Sequence, residues 1–240
     1  MADSTVSPTD LSPYVLAVVS HKGGTGRTTV AMALAWLWGQ QGFNVTLVDA
    51  DPVKAASLVA AGSSSVCPWS NVNLVVAHQG EATIPLGQDV VIFDTPVITE
   101  SLAQKVLRKA NGVAICCLAD SLSLSTLPAA TRAIQTARLG NPGLELLGIL
   151  VNRFDDADDS QKRCLSLLRG GRGGLLIDPP IPTCPDLCDW PLTPGSDLAD
   201  GIAYSSLQTI AETLREMIAE AGWTKFAVRK GDQRAYATHR

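Results

Sequence analysis

The residues best placed to do chemistry form one run, His21-Lys22-Gly23-Gly24-Thr25-Gly26-Arg27-Thr28-Thr29. Its glycines let the backbone curl so that successive N–H groups converge, and a helix starting near Thr28 would add the positive end of its dipole. Such a run makes a nest for a polyphosphate. Lys22 and Arg27 supply positive charge to that nest, and Thr28 and Thr29 supply hydroxyls. Carboxylates follow at Asp49, Asp51 and Asp94, and Asp49 and Asp94 each end a β-branched run. An acid at the end of a buried strand requires something to neutralise it.

These groups can work together only if the fold gathers them. Strands are predicted over 14–20, 44–49, 73–77, 89–94, 112–118, 144–151 and 175–177. Helices are predicted over 28–40, 100–110, 125–139, 158–169 and 198–221, and Trp36 and Trp38 on the first of them read as core. Strands alternating with crossover helices give an α/β fold, a mainly parallel twisted sheet with helices on both faces. The proline-rich stretch 179–195 reads as an extended loop over the sheet edge.

The chain has 240 residues, 46% hydrophobic and 18% charged, which suits a single globular domain and excludes a disordered chain. The apolar run 30–38 is about half of the roughly 18 residues that a membrane span needs. Residues 1–13 lack a basic start and an apolar core, so a cytoplasmic location is expected. Free thiols are expected for the six cysteines there. Domain limits are read as a flexible segment 1–13, a single domain 14–221 that contains the phosphate nest, and a basic tail 222–240. The tail carries Lys225, Arg229, Lys230, Arg234 and Arg240 against Asp232, a net +4 in a chain of net −4. Such asymmetry suits a polyanionic partner.

A standard P-loop reads G-x-x-x-x-G-K-[ST], and this run has His21 at its first glycine and Arg27 at its lysine. Lys22 to Thr29 instead resembles the deviant Walker A motif, K-G-G-x-G-K-[ST], of the ParA/MinD family of P-loop (SIMIBI-type) ATPases. The resemblance continues through Val45-Thr46-Leu47-Val48-Asp49-Ala50-Asp51-Pro52, similar to that family's D-x-D-P strand, and Val90-Val91-Ile92-Phe93-Asp94-Thr95-Pro96, similar to its Walker B strand. Gly148-Ile149-Leu150-Val151-Asn152-Arg153 resembles its base-contacting strand, and Ile181-Pro182 its later Ile-Pro pair. Val53 and Lys54 depart from the Gln-Gly that often follows D-x-D-P in partition ATPases.

The resemblance implies an ATP and Mg²⁺ site. Gly23, Gly24, Thr25, Gly26, Arg27, Thr28 and Thr29 would cradle the phosphates. Lys22 would act catalytically, reaching a partner's phosphates across an ATP-sandwich homodimer. Asp51 would orient or deprotonate the attacking water, while Thr28, Asp49 and Asp94 would serve the metal and its water shell. Either Asp49 or Asp51 could equally cap a helix after Pro52. Asn152, Arg153 and Pro182 would hold adenine. Read instead as an Asn-Lys-x-Asp variant, Asn152 and Asp155 would take guanine; Arg153 and the Ile181-Pro182 match favour ATP.

Arginine at position 27 is bulkier than lysine and forks onto phosphates, so binding is the firmer expectation than rapid turnover. The implied function is a ParA-like ATPase that uses slow, partner-stimulated hydrolysis to time its hold on nonspecific DNA and an adaptor protein, for DNA partition or cargo positioning. Lys225, Arg229, Lys230 and Arg234 would contact the DNA. A membrane surface is not expected, because Trp223, Phe226, Val228 and Tyr236 are too few for an amphipathic face and Gly231 interrupts them. Two alternatives stand beside this: a nucleotide-binding adaptor with weak or no hydrolysis, and a metal-insertion ATPase using Cys184 and Cys188. Against the latter, C-x₃-C is a loose spacing, and alternation sends Cys116 and Cys117 to opposite faces of a strand.

Overall fold

Strands and helices alternate along the chain as Tyr14–Val19 (β1), Arg27–Gln40 (α1), Val45–Asp49 (β2), Ala55–Gly62 (α2), Val72–Val76 (β3), Val90–Asp94 (β4) and Ser101–Leu107 (α3). They continue as Gly112–Leu118 (β5), Ser121–Arg138 (α4), Glu145–Asn152 (β6), Asp159–Arg172 (α5), Leu176–Ile177 (β7) and Ile202–Glu220 (α6). The computed structural model describes residues 12–62, 72–77, 81–185, 187 and 201–227. Within them the strands pair in the order β3-β2-β4-β1-β5-β6-β7, and every pairing is parallel.

Parallel pairing sends every strand's C-terminal end to one edge. The register sets Asp49 beside Asp94, Val18 beside Asp94 and Leu118 beside Asn152. Connections leave β1 toward β2 on one side and β4 toward β5 on the other, so the central strands form the switch point where such sheets open a crevice. The loop after β1 lies at that point.

Both faces of the sheet are covered, which is why its strands read as near-continuous apolar runs. Tyr14, Leu16 and Val18 face α1 and α6, while Val15, Ala17 and Val19 face α3, α4 and α5. Cys116 and Cys117 fall on opposite faces, as strand alternation requires. Helix α1 is apolar nearly all round because α6 covers the side that the sheet does not. Trp38 is fully buried between these layers, its indole donating to the Ala211 carbonyl at 3.2 Å, whereas Trp36 packs at the rim against Tyr204.

Several boundaries differ from the sequence reading, and three of the differences have a visible physical cause. Helix α2 is the helix expected after Pro52, but it begins only at Ala55 and its anchor is tertiary, because Asp49 Oδ2 accepts from the Ser57 amide (2.9 Å) and hydroxyl (2.6 Å). Helix α4 starts at Ser121, four residues before the expected 125, because the Asp120 side chain caps it by accepting from the Ser123 amide at 2.6 Å. The body does not end at 221. Phe226 is buried, stacks on Phe43 with ring centroids 5.0 Å apart, and meets Tyr14 and Trp38 edge-on. Trp223 also meets Tyr14, at 5.1 Å. A boundary drawn by charge therefore cut through an aromatic cluster. Of the stretch 179–195, residues 186 and 188–195 lie outside the described residues, as do 1–11 of the N-terminal segment.

Removing the Phe226 ring should leave a cavity beneath Tyr14 and Trp38. Phe226→Ala is expected to lower stability by roughly 3–5 kcal/mol in urea titrations. An unchanged midpoint would return the domain boundary to 221.

Candidate nucleotide site

The loop from Ser20 to Gly26 is shaped by its glycines and by ties to neighbouring strands. Gly24 (φ 74°) and Gly26 (φ 85°) take left-handed conformations that disfavour a side chain. A Cβ at Gly26 would collide with the Asn152 amide. That amide donates from Nδ2 to the Thr25 carbonyl at 2.9 Å, the Cys116 thiol donates to the same carbonyl at 3.2 Å, and Ser20 Oγ donates to the Lys22 carbonyl at 2.6 Å. No side chain caps the start of α1, so its leading amides are open to an anion.

Charged groups surround this loop. Arg27 is buried, donating from one guanidinium nitrogen to Ser20 Oγ at 2.7 Å and from the other to Asp51 Oδ2 at 3.0 Å. Asp51 Oδ1 accepts from the Val53 amide at 2.9 Å, a local turn ahead of α2, while the carboxylate that meets the first turn of that helix is Asp49. Lys22 Nζ lies 3.2 Å from Asp120 Oδ2, with both side chains about one-third exposed. Partial burial pushes the Asp120 carboxyl up, but the Ser123 amide and hydroxyl and the Lys22 ammonium together hold it below its usual range.

Asp94 is fully buried, and neither of its oxygens has a hydrogen-bond partner of acceptable geometry among the described residues. Burial pushes its carboxyl up to about 7; the nearby Thr28 hydroxyl lowers it, Asp49 raises it, Arg27 lowers it and Asp51 raises it. Asp49 Oδ1 is likewise buried without a partner. Both oxygens of Asp94 and one of Asp49, unpartnered near a threonine hydroxyl, fit a hard divalent cation such as Mg²⁺. Among the described residues no three metal-ligating side chains cluster, so phosphate and water oxygens would complete such a shell.

The base-side residues are gathered at the end of β6. Arg153 follows Asn152 with φ 53° and is exposed, and Phe154 pairs with Pro182 as an isolated parallel bridge. Asn152 was given to adenine by resemblance. Its Oδ1 also accepts from the Arg153 amide at 2.9 Å, so one N–H and one lone pair are committed to the protein and one of each remains.

Three residues that sequence reasoning missed now belong to the site: Ser20, Ser57 and Asp120. Asp120 carried a signal, an Asp three residues before a serine where a helix begins after a strand. Its partnership with Lys22 needed the β1–β5 pairing, which the sequence does not display. Of the residues assigned to DNA, Arg229, Lys230 and Arg234 lie outside the described residues, and Lys225 sits 3.5 Å from Asp89 on the body. Cys184 is half-buried, and Cys188 lies outside the described residues.

The sequence model of the family described as the CobQ/CobB/MinD/ParA nucleotide binding domain matches residues 16–194. The chain belongs to this family. Among its relatives, the chromosome-partitioning ATPase Soj of Thermus thermophilus is 29% identical over 172 residues, which covers 58% of this chain and 69% of Soj. The solved complex of Cyanothece McdA with ATP has a TM-score of 0.70 at 16% identity, covering 87% of this chain and 97% of that one. Cobyrinic acid a,c-diamide synthase from Mycobacterium smegmatis, with bound ADP and magnesium, has a TM-score of 0.64 at 22% identity, covering 90% and 97%. At these identities the solved structures establish the fold. In this CobQ/CobB/MinD/ParA domain the unpartnered Asp94 sits at the end of the strand beside β1, near Thr28 at the start of α1.

A carboxyl raised to about 7 binds a proton in the folded chain that the unfolded chain has already released at lower pH. Without metal or nucleotide, stability should therefore fall as pH rises from about 4 to about 7, then level off. Asp94→Asn is expected to remove this slope and to raise stability at pH 8 by roughly 2–4 kcal/mol in urea melts. A variant no more stable than wild type at pH 8 would refute the strain assigned to Asp94.

Proposed function

We propose that the chain is a ParA/MinD-type ATPase that pairs around two ATP molecules and uses hydrolysis to time its hold on DNA and on an activating protein, so positioning a DNA or protein cargo. The observation that carries this reading is an uncapped phosphate loop led by Lys22 and facing a buried, unpartnered Asp94. The backbone amides of Gly23 to Thr28 would hold the phosphates, with Thr29 on the α-phosphate. Bound Mg²⁺ would neutralise phosphate charge, and Thr28 and Asp94 would hold it with Asp49 behind. In hydrolysis the water oxygen bonds to the γ-phosphorus as the bond to the bridging oxygen breaks. ADP leaves with that electron pair, and Asp51 takes the water's proton.

Lys22 is the group that links chemistry to assembly. Asp120 holds it in the single chain, and release from that surface ion pair costs little. A partner's phosphates are the stronger attraction for the freed ammonium. DNA would be met by Arg229, Lys230 and Arg234, with two tails in a dimer adding avidity. Lys225 is the weakest of the original four because Asp89 already neutralises it. A second reading, an adaptor with weak or no turnover, is favoured by one observation: Arg27 holds Asp51 at 3.0 Å.

Light scattering should show a doubled mass with Mg²⁺-ATP but not with ADP, and Lys22→Ala should stay monomeric while still binding nucleotide. An unchanged mass with ATP bound would remove the sandwich dimer from this proposal.

DNA retention in Mg²⁺-ATP over a salt series tests the surface. The combined Arg229→Ala, Lys230→Ala and Arg234→Ala variant is expected to bind all DNA sequences more weakly and with a flatter salt dependence. Retention on anionic liposomes but not on DNA would overturn the choice of DNA.

A further inference from the structure

Arg27 stands where a P-loop lysine would reach for phosphate, yet its guanidinium is committed to the protein. One terminal nitrogen donates to Ser20 Oγ at 2.7 Å and the other to Asp51 Oδ2 at 3.0 Å, with the two charged side chains only 10% and 13% exposed. The contacts extend at both ends: Ser20 Oγ donates on to the Lys22 carbonyl, and Asp51 Oδ1 accepts from the Val53 amide. One continuous chain of hydrogen bonds therefore runs from the phosphate loop to the loop after β2. The planar fork of arginine suits it to serve two acceptors at fixed separation, whereas the lysine ammonium is a point charge on a flexible stem.

We propose that Arg27 and Asp51 form a latch that a polyphosphate opens. This rests on the nucleotide-site reading above. A guanidinium N–H given to Asp51 is not available to a phosphate oxygen, and the carboxylate oxygen that accepts it is occupied and not open to a water. Closed, the latch keeps the arginine from phosphate and Asp51 from water at the same time. Opening it transfers the guanidinium to phosphate and leaves Asp51 free to accept a proton. Arg27 is thus a positioning residue for Asp51, and phosphate affinity is coupled to the breaking of the pair.

A double-mutant cycle on affinity for Mg²⁺ and the non-hydrolysable probe AMPPNP isolates this coupling, because removing a carboxylate beside phosphates tightens binding even without a latch. With Arg27 present, Asp51→Asn should tighten AMPPNP binding by about tenfold. In an Arg27→Gln background only the loss of the carboxylate's repulsion should remain, a tightening of less than about threefold. Should Arg27→Gln not fold, Arg27→Lys serves as the background, and the tightening should be less than half that seen with arginine. Equal tightening in both backgrounds overturns the latch while leaving the nucleotide site intact. No AMPPNP binding by any variant, wild type included, overturns the nucleotide site and the latch together.

Discussion

Parallel pairing puts Asp49 directly beside Asp94 on neighbouring strands, and the turn after β2 brings Asp51 within reach of Arg27. Three carboxylates thus gather at one edge of the sheet, and the one guanidinium among the contacts described there is used by Asp51. Ser57 satisfies one oxygen of Asp49, but its other oxygen and both oxygens of Asp94 stay unpartnered in a buried setting. Buried charge without a partner is destabilising, and here it raises the Asp94 carboxyl to about 7. The site is therefore built with a deficit of positive charge that a cation can fill.

The glycine-rich loop after β1 is placed by three strands at once. β1 feeds it, Cys116 of β5 and Asn152 of β6 bond its Thr25 carbonyl, and the close approach of Asn152 leaves Gly26 no room for a side chain. These bonds cross the order β1-β5-β6, so the loop's shape depends on the sheet as a whole. Lys22 and Arg27 bracket the loop, and each is met by an acid, Asp120 or Asp51. Their environments differ in a way that decides how each pair behaves. Lys22 and Asp120 lie where solvent screens them and exchange of partners is easy. The Arg27–Asp51 pair is nearly closed to solvent, so exchange there must be compensated by a comparable anion.

The same dependence on tertiary contact governs the edges of the fold. Helix α2 is anchored by an aspartate six residues before it begins, and the aromatic pair Trp223 and Phe226 closes the face under α1 and α6. Neither follows a local rule. The first lacks a capping residue beside it in sequence, and the second sits in a segment whose charge suggests a solvated tail.

Most of the sheet was legible in the sequence because a strand buried on both faces must be almost continuously apolar, and β1, β2, β4, β5 and β6 are. The glycine-rich loop after β1 was legible for a different reason: glycine spacing is a backbone requirement that no side-chain packing can supply. Asp49, Asp51 and Asp94 were legible as acids at or just after strand ends. What those acids would touch was not. The pairing of Lys22 with Asp120 spans 98 residues, that of Arg27 with Asp51 spans 24, and the tie of Asn152 to Thr25 spans 127. Such separations are resolved only by strand order and register, since a parallel sheet can set any two strands side by side. The sequence determined which groups stand at the edge of the sheet, and the tertiary structure decided which of them are already satisfied by one another.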